Sequence, residues 1–135
     1  MREVEAALDA RLVAFMASLH RLLRSDSLSF AHADIPPRPG IYVIYDGSER
    51  PYYVGQSRNL RRRLLVDHRR GNGKANIFRR KLAMLERLEG EPAVTLYITE
   101  RCSIRFMEVD SDGERLEMEH FATALLSPVL NTRAS

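Results

Sequence analysis

Residues 40–56 read GIYVIYDGSERPYYVGQ, and the prediction of the fold starts from this segment. Runs of β-branched and aromatic residues lie on both sides of Asp46-Gly47, a dipeptide that favours tight turns. The pattern therefore predicts a β-hairpin. Because side chains alternate between the two faces of a strand, we expect Tyr42 and Tyr53 on the same face.

The length of the turn sets which residues of the two strands face each other. A two-residue turn at Gly47-Ser48 would place Tyr42 directly opposite Tyr53, and any other register of the same parity keeps both on one face. Strands favour aromatic residues, so each tyrosine taken alone is explained by its contribution to the sheet. The hairpin by itself predicts structure and not function.

Amphipathic patterns on both sides of the hairpin predict helices and one more strand. We expect an α+β fold, with a small three-stranded antiparallel sheet flanked by helices and an extra amphipathic helix at the N-terminus. The segment 92–102 has the β-branched residues of a strand but a proline that suits the first turn of a helix, and both readings stay open. Predicted boundaries are 2–24, 58–70, 75–89 and 113–126 for the helices and 40–45, 52–56 and 103–109 for the strands.

A polar, proline-containing connector, residues 25–39, joins the N-terminal helix to the hairpin. We therefore expect two parts, with the helix and connector over 1–33 and the compact domain over 34–135. Apolar residues recur in the helix at steps of three and four from Val4 to Leu23. This pattern indicates a face that packs on the core, recruits a partner or mediates self-association.

The composition excludes several classes of protein. A single cysteine, Cys102, among 135 residues excludes an internal disulfide and a cysteine-rich zinc site, and it is typical of a reducing cytoplasm. No apolar run approaches the roughly 18 residues of a membrane span. The mixed charges of MREVEAALDARL do not resemble a secretory signal. We expect a cytoplasmic protein.

Positive charge is concentrated in one segment. Residues 58–81 contain ten Lys or Arg and one acid, Asp67, so the formal charge of this segment is +9. The net charge of the whole chain is +3, so the remaining residues together carry −6. Such a band is either a solvated helix face or a contact surface for a polyanion. The near absence of compensating acids favours contact with a nucleic acid.

Two charged residues lie at the edges of apolar helical faces. Arg63 borders the stripe that Leu60 and Leu64 form, and Glu119 borders the stripe around Met118. An arginine in this position can reach across the neighbouring sheet, and a carboxylate there is half desolvated and available to a cleft. On position alone, a surface role is the simpler explanation of Glu119.

Taken in order, these residues resemble the motifs of the GIY-YIG nuclease superfamily. The resemblance covers about residues 34–132, and the lead-in IPPRPGIY is similar to that of the repair-nuclease branch. The second motif has valine in place of isoleucine, a conservative exchange. The residues that carry the resemblance are Gly40-Ile41-Tyr42, Tyr53-Val54-Gly55, Arg63, Glu119, Pro128 and Asn131.

The resemblance implies a metal-dependent DNA endonuclease that uses one divalent cation, Mg²⁺ or Mn²⁺, held by Glu119. Arg63 would face the scissile phosphate, Tyr42 would take the proton from water, and Tyr53 would orient water or phosphate. Arg63 and the metal would lower the pKa of the tyrosine that acts as the base. The amide of Asn131 would tie the chain end to the site.

Two further expectations depend on the resemblance. Gly40 and Gly55 are expected to leave room for a phosphate and water above the sheet. Several relatives carry a histidine four residues after the arginine, but Asp67 occupies that position here and His68 follows on another side of an α-helix. We therefore expect His68 to be a helix C-terminal or phosphate-contacting residue.

The basic segment would contact the DNA backbone, which gives affinity and salt dependence without sequence choice. Whether the DNA is single- or double-stranded stays open, and the alternative function is an inactive nucleic-acid-binding module of the same fold. The residues expected to contact DNA are Arg58, Arg61, Arg62, Arg69, Arg70, Lys74, Arg79 and Arg80.

Overall fold

A computed structural model of the chain describes residues 1–131 and contains a four-stranded antiparallel sheet with helices on both faces. The elements are α1 (Arg2–Leu23), β1 (Leu28–Ser29), β2 (Gly40–Tyr45), β3 (Pro51–Ser57), a π-helix (Arg62–His68), α2 (Ile77–Glu86), α3 (Glu91–Arg101), β4 (Ser103–Glu108) and α4 (Asp112–Leu126). The strands lie in the order β1-β4-β2-β3, so β3 forms one edge. This architecture confirms the predicted α+β class.

The sheet has one strand more than the three that the sequence predicts. β1 is two residues long, and its Leu28 and Ser29 pair with Ile104 and Ser103 of β4. Two residues are too few to produce the alternation of apolar and polar side chains by which a strand is recognised. The polar connector therefore supplies an edge strand that its composition conceals.

The central hairpin forms as predicted but in a different register. Tyr42 pairs with Gly55, two residues beyond Tyr53, so the two tyrosines are not directly opposite. The turn is the reason, because the Asp46 amide donates to the Arg50 carbonyl across a loop longer than two residues and the register shifts beside it. The shift preserves parity, so both tyrosines still share one face.

Both faces of the sheet are covered, which explains why β2 is buried at every position. On one face, Ile41 and Val43 belong to a cluster with Leu22 of α1 and Met118 of α4. The other face carries Tyr42. Its cluster includes Ile44, Leu60, Leu64, Phe78, Leu82 and Ile98.

α1 packs against this fold with only its C-terminal half. Leu22 is buried, whereas the exposed fractions of Val4, Leu8 and Leu12 are 57%, 60% and 53%. The division at residues 33 and 34 stays a prediction, and residues 132–135 of its second part lie outside the described residues. Neither α1 nor any other described helix is both long enough and apolar enough to cross a membrane.

The segment for which two readings were open is helical. α3 begins after Gly90, whose φ of 87° suits glycine, and Pro92 lies in the first turn, where no amide hydrogen is needed. Val94 and Ile98 are buried one turn apart on the same face. Burial of this face overrides the strand propensity of the β-branched residues.

Candidate active site

The helix that follows β3 contains a π-helical segment, Arg62–His68, where the sequence predicts an α-helix. The Arg69 amide donates to the Leu64 carbonyl five residues before it, which is the bonding pattern of a π-helix. Residues five apart therefore lie on neighbouring turns of one face, as residues four apart do in an α-helix. Arg63 and His68 have this spacing, and both face the site.

His68 lies in the site, contrary to the expectation from an α-helical wheel. Its exposed fraction is 3%, and its Nε2 is 2.6 Å from the hydroxyl oxygen of Tyr42. Its ring packs edge-on against Tyr53 and Phe78, with centroids 5.6 and 5.0 Å away. Burial lowers the pKa of His68 to about 3, so the imidazole is neutral at pH 7 and is not a cationic contact for phosphate.

Gly55 provides space for Tyr42 and not for a phosphate. A Cβ at residue 55 would overlap the hydroxyl and ring of Tyr42, its partner across the hairpin. Gly40 is constrained in the same way, because a Cβ there would overlap the Met107 carbonyl and the Leu60 side chain. The expected room for substrate above the glycines is therefore wrong, and both permit close packing within the protein.

The two tyrosines of the site differ in their access to solvent. The exposed fraction of Tyr42 is 2%, whereas Tyr53 is partly exposed and its ring packs on Phe78 at 5.3 Å. The expectation that Tyr42 contacts the attacking water disagrees with this burial. Of these two tyrosines, Tyr53 is the one that keeps surface exposed to solvent.

Burial controls the pKa values of both tyrosines. It raises the pKa of Tyr42 well above its ordinary value; the neighbouring Tyr53 adds to this rise and the charge of Arg63 opposes it. The pKa of Tyr53 is also raised, first by burial and then by the Glu119 carboxylate, again against Arg63. The expected lowering by Arg63 therefore exists, but it is smaller than the cost of desolvating a phenolate.

Arg63 and Glu119 reach the site from two different helices. Within residues 1–131, the Arg63 guanidinium has no ion-pair partner, so its charge is available to a ligand. Glu119 accepts the backbone N–H of Gln56 at the edge of β3. Burial raises the pKa of Glu119. Three groups oppose this rise: the charge of His120, the backbone N–H of Gln56 and the charge of Arg63. An added cation would stabilise the charged carboxylate.

Glu119 is the carboxylate of the site that could hold a metal ion. Among residues 1–131, no group of three or more His, Cys, Asp or Glu side chains is arranged to hold a metal ion. Carboxylate oxygens are ligands that Mg²⁺ prefers, and Mg²⁺ held by one carboxylate keeps most of its water ligands.

Asn131 binds the edge of β3 beside the site. Its side-chain oxygen accepts the Val54 amide at 2.7 Å, and its side-chain nitrogen donates to the Val54 carbonyl at 3.0 Å. The Leu130 amide donates to the Tyr52 carbonyl next to it. Residues 130–131 thus pair with β3 as a strand would and support the strand that carries Tyr53.

Arg79 is wrong as a predicted DNA contact, because its exposed fraction is 0%. Its guanidinium donates to the carbonyls of His68 and Arg69 at 3.0 and 2.6 Å and forms an ion pair with Glu91 at 3.2 Å. The side chain therefore satisfies carbonyls at the C-terminal end of the π-helix and places a cation where the helix dipole is negative.

The other basic residues fall into two groups. Arg58 forms an ion pair with Asp112, and Arg61 and Arg69 donate to backbone carbonyls. A second group is exposed and makes no side-chain bond within the described residues. Its members are Arg62, Arg70, Lys74 and Arg80.

A cleft of about 600 Å³ lies at the junction of β3, the π-helix and α4. Four arginines and two acids line it, and Arg58 and Arg115 are paired with Asp112. Arg62 and Arg63 have no ion-pair partner among the described residues, so their guanidinium groups provide the charge and hydrogen bonds that a chain of phosphates requires. The cleft is therefore the natural approach for a polyanion to Arg63.

Sequence reasoning missed two residues of the site, Asn76 and Arg115. Asn76 is buried, caps α2 and lies beside His68. Arg115 is buried and donates to Gln56 Oε1 at 3.1 Å. It therefore holds in place the residue whose backbone N–H binds Glu119. A capping position before an apolar helix is a signal for Asn76, and nothing in the sequence marks Arg115.

Comparison with known proteins gives one family. The family model described as the GIY-YIG catalytic domain matches residues 38–107, just over half of the chain. The chain is 34% identical over 86 residues to UvrABC system protein C of Parasynechococcus marenigrum (strain WH8102) and 32% identical over 99 residues to the protein of that name from Prochlorococcus marinus (strain NATL1A). These matches cover 64% and 73% of this chain but only 11% and 13% of those proteins.

Solved structures give a more distant similarity. The GIY-YIG N-terminal endonuclease domain of UvrC from Thermotoga maritima, bound to magnesium, has a TM-score of 0.42 and 18% identity. A point mutant of that domain has a TM-score of 0.44 and 19% identity. Each alignment covers 73% of this chain and 88% of the other. The family match over residues 38–107 decides the classification: the chain belongs to the GIY-YIG catalytic domain family.

Proposed function

We propose that this domain is a metal-dependent DNA endonuclease that hydrolyses phosphodiester bonds with one Mg²⁺ or Mn²⁺. The observation that carries the proposal is the convergence of Tyr42, Tyr53, Arg63 and Glu119. They come from two strands and two helices and lie close enough for their charges to act on one another. A proton acceptor, a fixed cation and a free carboxylate are the groups that phosphodiester hydrolysis requires.

Glu119 would hold the metal ion, which when bound supplies positive charge for the phosphate and the departing 3′-oxygen. The backbone N–H of Gln56 orients this carboxylate, and Arg115 holds Gln56 in place through the side-chain oxygen of Gln56. Glu119 is half-buried and has no ion-pair partner among residues 1–131, so its negative charge is available to a cation. The carboxylate is thus prepared for a cation by its surroundings.

Arg63 would face the scissile phosphate and stabilise the charge that develops on it. Tyr53 would take the proton from the attacking water, because it is the more exposed of the two tyrosines. Tyr42 would act behind it, held against His68 at 2.6 Å. This assignment exchanges the roles that the sequence alone suggests for the two tyrosines.

The DNA backbone would cross the cleft beside Arg58 and Arg62 and continue along the exposed Arg70, Lys74 and Arg80. These side chains contact phosphates and give affinity that falls with salt. Their arrangement does not favour single-stranded over double-stranded DNA, so the substrate class proposed is DNA in general.

Substitution of Glu119 tests the proposal. We expect Glu119→Ala to abolish cleavage of a panel of single-stranded, nicked and duplex DNA in Mg²⁺, with EDTA as the metal-free reference. DNA binding by the same variant should persist. Glu117→Ala is the matched control, because Glu117 lies two residues away on the exposed side of α4 and makes only a 3.7 Å ion pair with Arg11.

Two outcomes would overturn this proposal. Cleavage by Glu119→Ala at the wild-type rate would remove Glu119 from the mechanism. Binding of every DNA in the panel without cleavage by the wild type would establish the alternative, an inactive binding module of the same fold.

We also propose that the chain self-associates through the exposed half of α1, with a second copy as the occupant. Val4, Leu8 and Leu12 form an uncovered apolar row. An antiparallel pair centred on Leu8 places Glu5 opposite the partner's Arg11, so the charges beside the row are complementary. Light scattering should give a dimer that Leu8→Glu converts to a monomer. A wild-type monomer at every concentration contradicts the pairing.

A further inference from the structure

Asn76 links the histidine of the site to the backbone. Its side-chain oxygen accepts the Arg79 amide at 3.0 Å, and its side-chain nitrogen donates to the Asp67 carbonyl at 3.1 Å. The amide cannot exchange these roles, because a backbone N–H only donates and a carbonyl only accepts. Two backbone groups therefore determine which way the Asn76 amide faces.

The orientation of this amide determines the bond that His68 makes. The Asn76 nitrogen is 3.0 Å from Nδ1 of His68, and the oxygen is 3.2 Å from the same atom. Donation from the nitrogen uses the second amide hydrogen, which is costly to leave unpaired in a buried side chain. Nδ1 is then an acceptor, and neutral His68 carries its hydrogen on Nε2.

We propose that Asn76 is a positioning residue that holds His68 in the tautomer with hydrogen on Nε2, so that His68 donates to the hydroxyl oxygen of Tyr42. The two atoms are 2.6 Å apart. Tyr42 then keeps its own hydrogen, because its oxygen accepts from Nε2. Tyr53 is the ionisable neighbour that acts most strongly on Tyr42.

The direction of these bonds has a catalytic meaning that rests on the proposed nuclease function. With donors running from Asn76 through His68 to Tyr42, the Tyr42 oxygen receives a hydrogen bond that stabilises negative charge at the tyrosine pair. In the opposite direction, Tyr42 would donate to Nε2 and His68 to the Asn76 oxygen. His68 would then supply no hydrogen to the tyrosine pair.

The tautomer of His68 can be measured directly in the full-length chain. Long-range ¹H–¹⁵N correlation spectra of histidine side chains at pH 7 separate the two neutral forms, and the spectrum of His68→Gln identifies the signals of His68. We expect the form with hydrogen on Nε2. The form with hydrogen on Nδ1 in the wild-type protein would overturn the proposal.

A pair of asparagine variants tests the cause. In Asn76→Asp the carboxylate still accepts the Arg79 amide but cannot donate, so we expect His68 to move its hydrogen to Nδ1. Asn72→Asp is the matched control, because Asn72 is exposed, caps the Lys74 amide and adds the same charge to the same loop. An unchanged His68 signal in Asn76→Asp contradicts control by Asn76. If that variant does not fold, Asn76→Ser replaces it, with a mixture of tautomers expected.

Kinetics give a second readout. For Asn76→Asp we expect kcat to fall about 10- to 100-fold with KM for DNA unchanged, as for other outer partners of site histidines. Asn72→Asp should retain kcat, and equal losses in both variants would reduce the effect to one of charge. Absence of cleavage by the wild type would refute the nuclease function and leave the tautomer result standing.

Discussion

Gly55 lies directly opposite Tyr42 across the β2–β3 pair, and the Tyr42 ring occupies the space that any side chain at residue 55 would need. The glycine of the Tyr53-Val54-Gly55 motif is therefore explained by the tyrosine of the Gly40-Ile41-Tyr42 motif. The hydroxyl of the same tyrosine lies 2.6 Å from Nε2 of His68.

Gly55→Ala should consequently displace Tyr42. We expect a loss of about 1–3 kcal/mol in the free energy of unfolding, typical of overpacking a core, together with loss of DNA cleavage. Gly47→Ala is the control, because a Cβ there meets only the Arg101 carbonyl at 3.6 Å, an ordinary contact. Urea unfolding measures the stability of both variants, and equal stability would contradict the packing argument.

Glu119→Gln should separate stability from activity. The folded protein raises the pKa of Glu119, so the charged form is disfavoured in the fold and costs stability as pH rises through that pKa. The neutral amide removes the cost, and we expect Tm at pH 7 to rise by about 1–3 °C while cleavage is lost. Glu117→Gln, on the exposed side of α4, should change neither. A fall in Tm for Glu119→Gln would show that its charge stabilises the fold.

His68 should make the protein sensitive to mild acid. Its pKa is about 3 in the fold against an ordinary value of 6.5, so the stability it contributes is complete above pH 6.5 and is lost as pH falls towards 3. This contribution changes by about 1.4 kcal/mol for each pH unit in that window. The unfolding free energy of His68→Gln should fall less between pH 7 and pH 5 than that of the wild type. The same slope in both proteins would contradict the burial argument, and the exposed His32→Gln serves as control.

Arg79 and Arg80 are adjacent in sequence and should behave differently. Arg79→Ala removes the donor that the carbonyls of His68 and Arg69 share, so we expect a loss of about 1–3 kcal/mol in stability. Arg80→Ala should leave stability within about 0.5 kcal/mol and reduce the slope of log affinity for DNA against log salt by about one. Binding is measured in EDTA to prevent cleavage. An unchanged salt slope for Arg80→Ala would remove it from the DNA path.

The predicted elements that proved correct depend on local patterns. Alternation marks the hairpin and the strand after residue 102, and three- and four-residue spacing marks the helices α1, α2 and α4. The fourth strand is two residues long and the π-helix differs from an α-helix by one residue per bond, so neither leaves a pattern to read. The misplacement of His68 follows from that single difference.

By itself, the amino-acid sequence determined the class of the fold and the family. It did so because motifs and periodicities are properties of neighbours in the chain. Only the tertiary structure decided which of these side chains are buried. Arg79 faces the core, Gly55 accommodates a ring, and Tyr53, not Tyr42, keeps surface exposed to solvent. Burial depends on what other segments place against a residue, and in this site it outweighs the charge of Arg63 in setting the tyrosine pKa values.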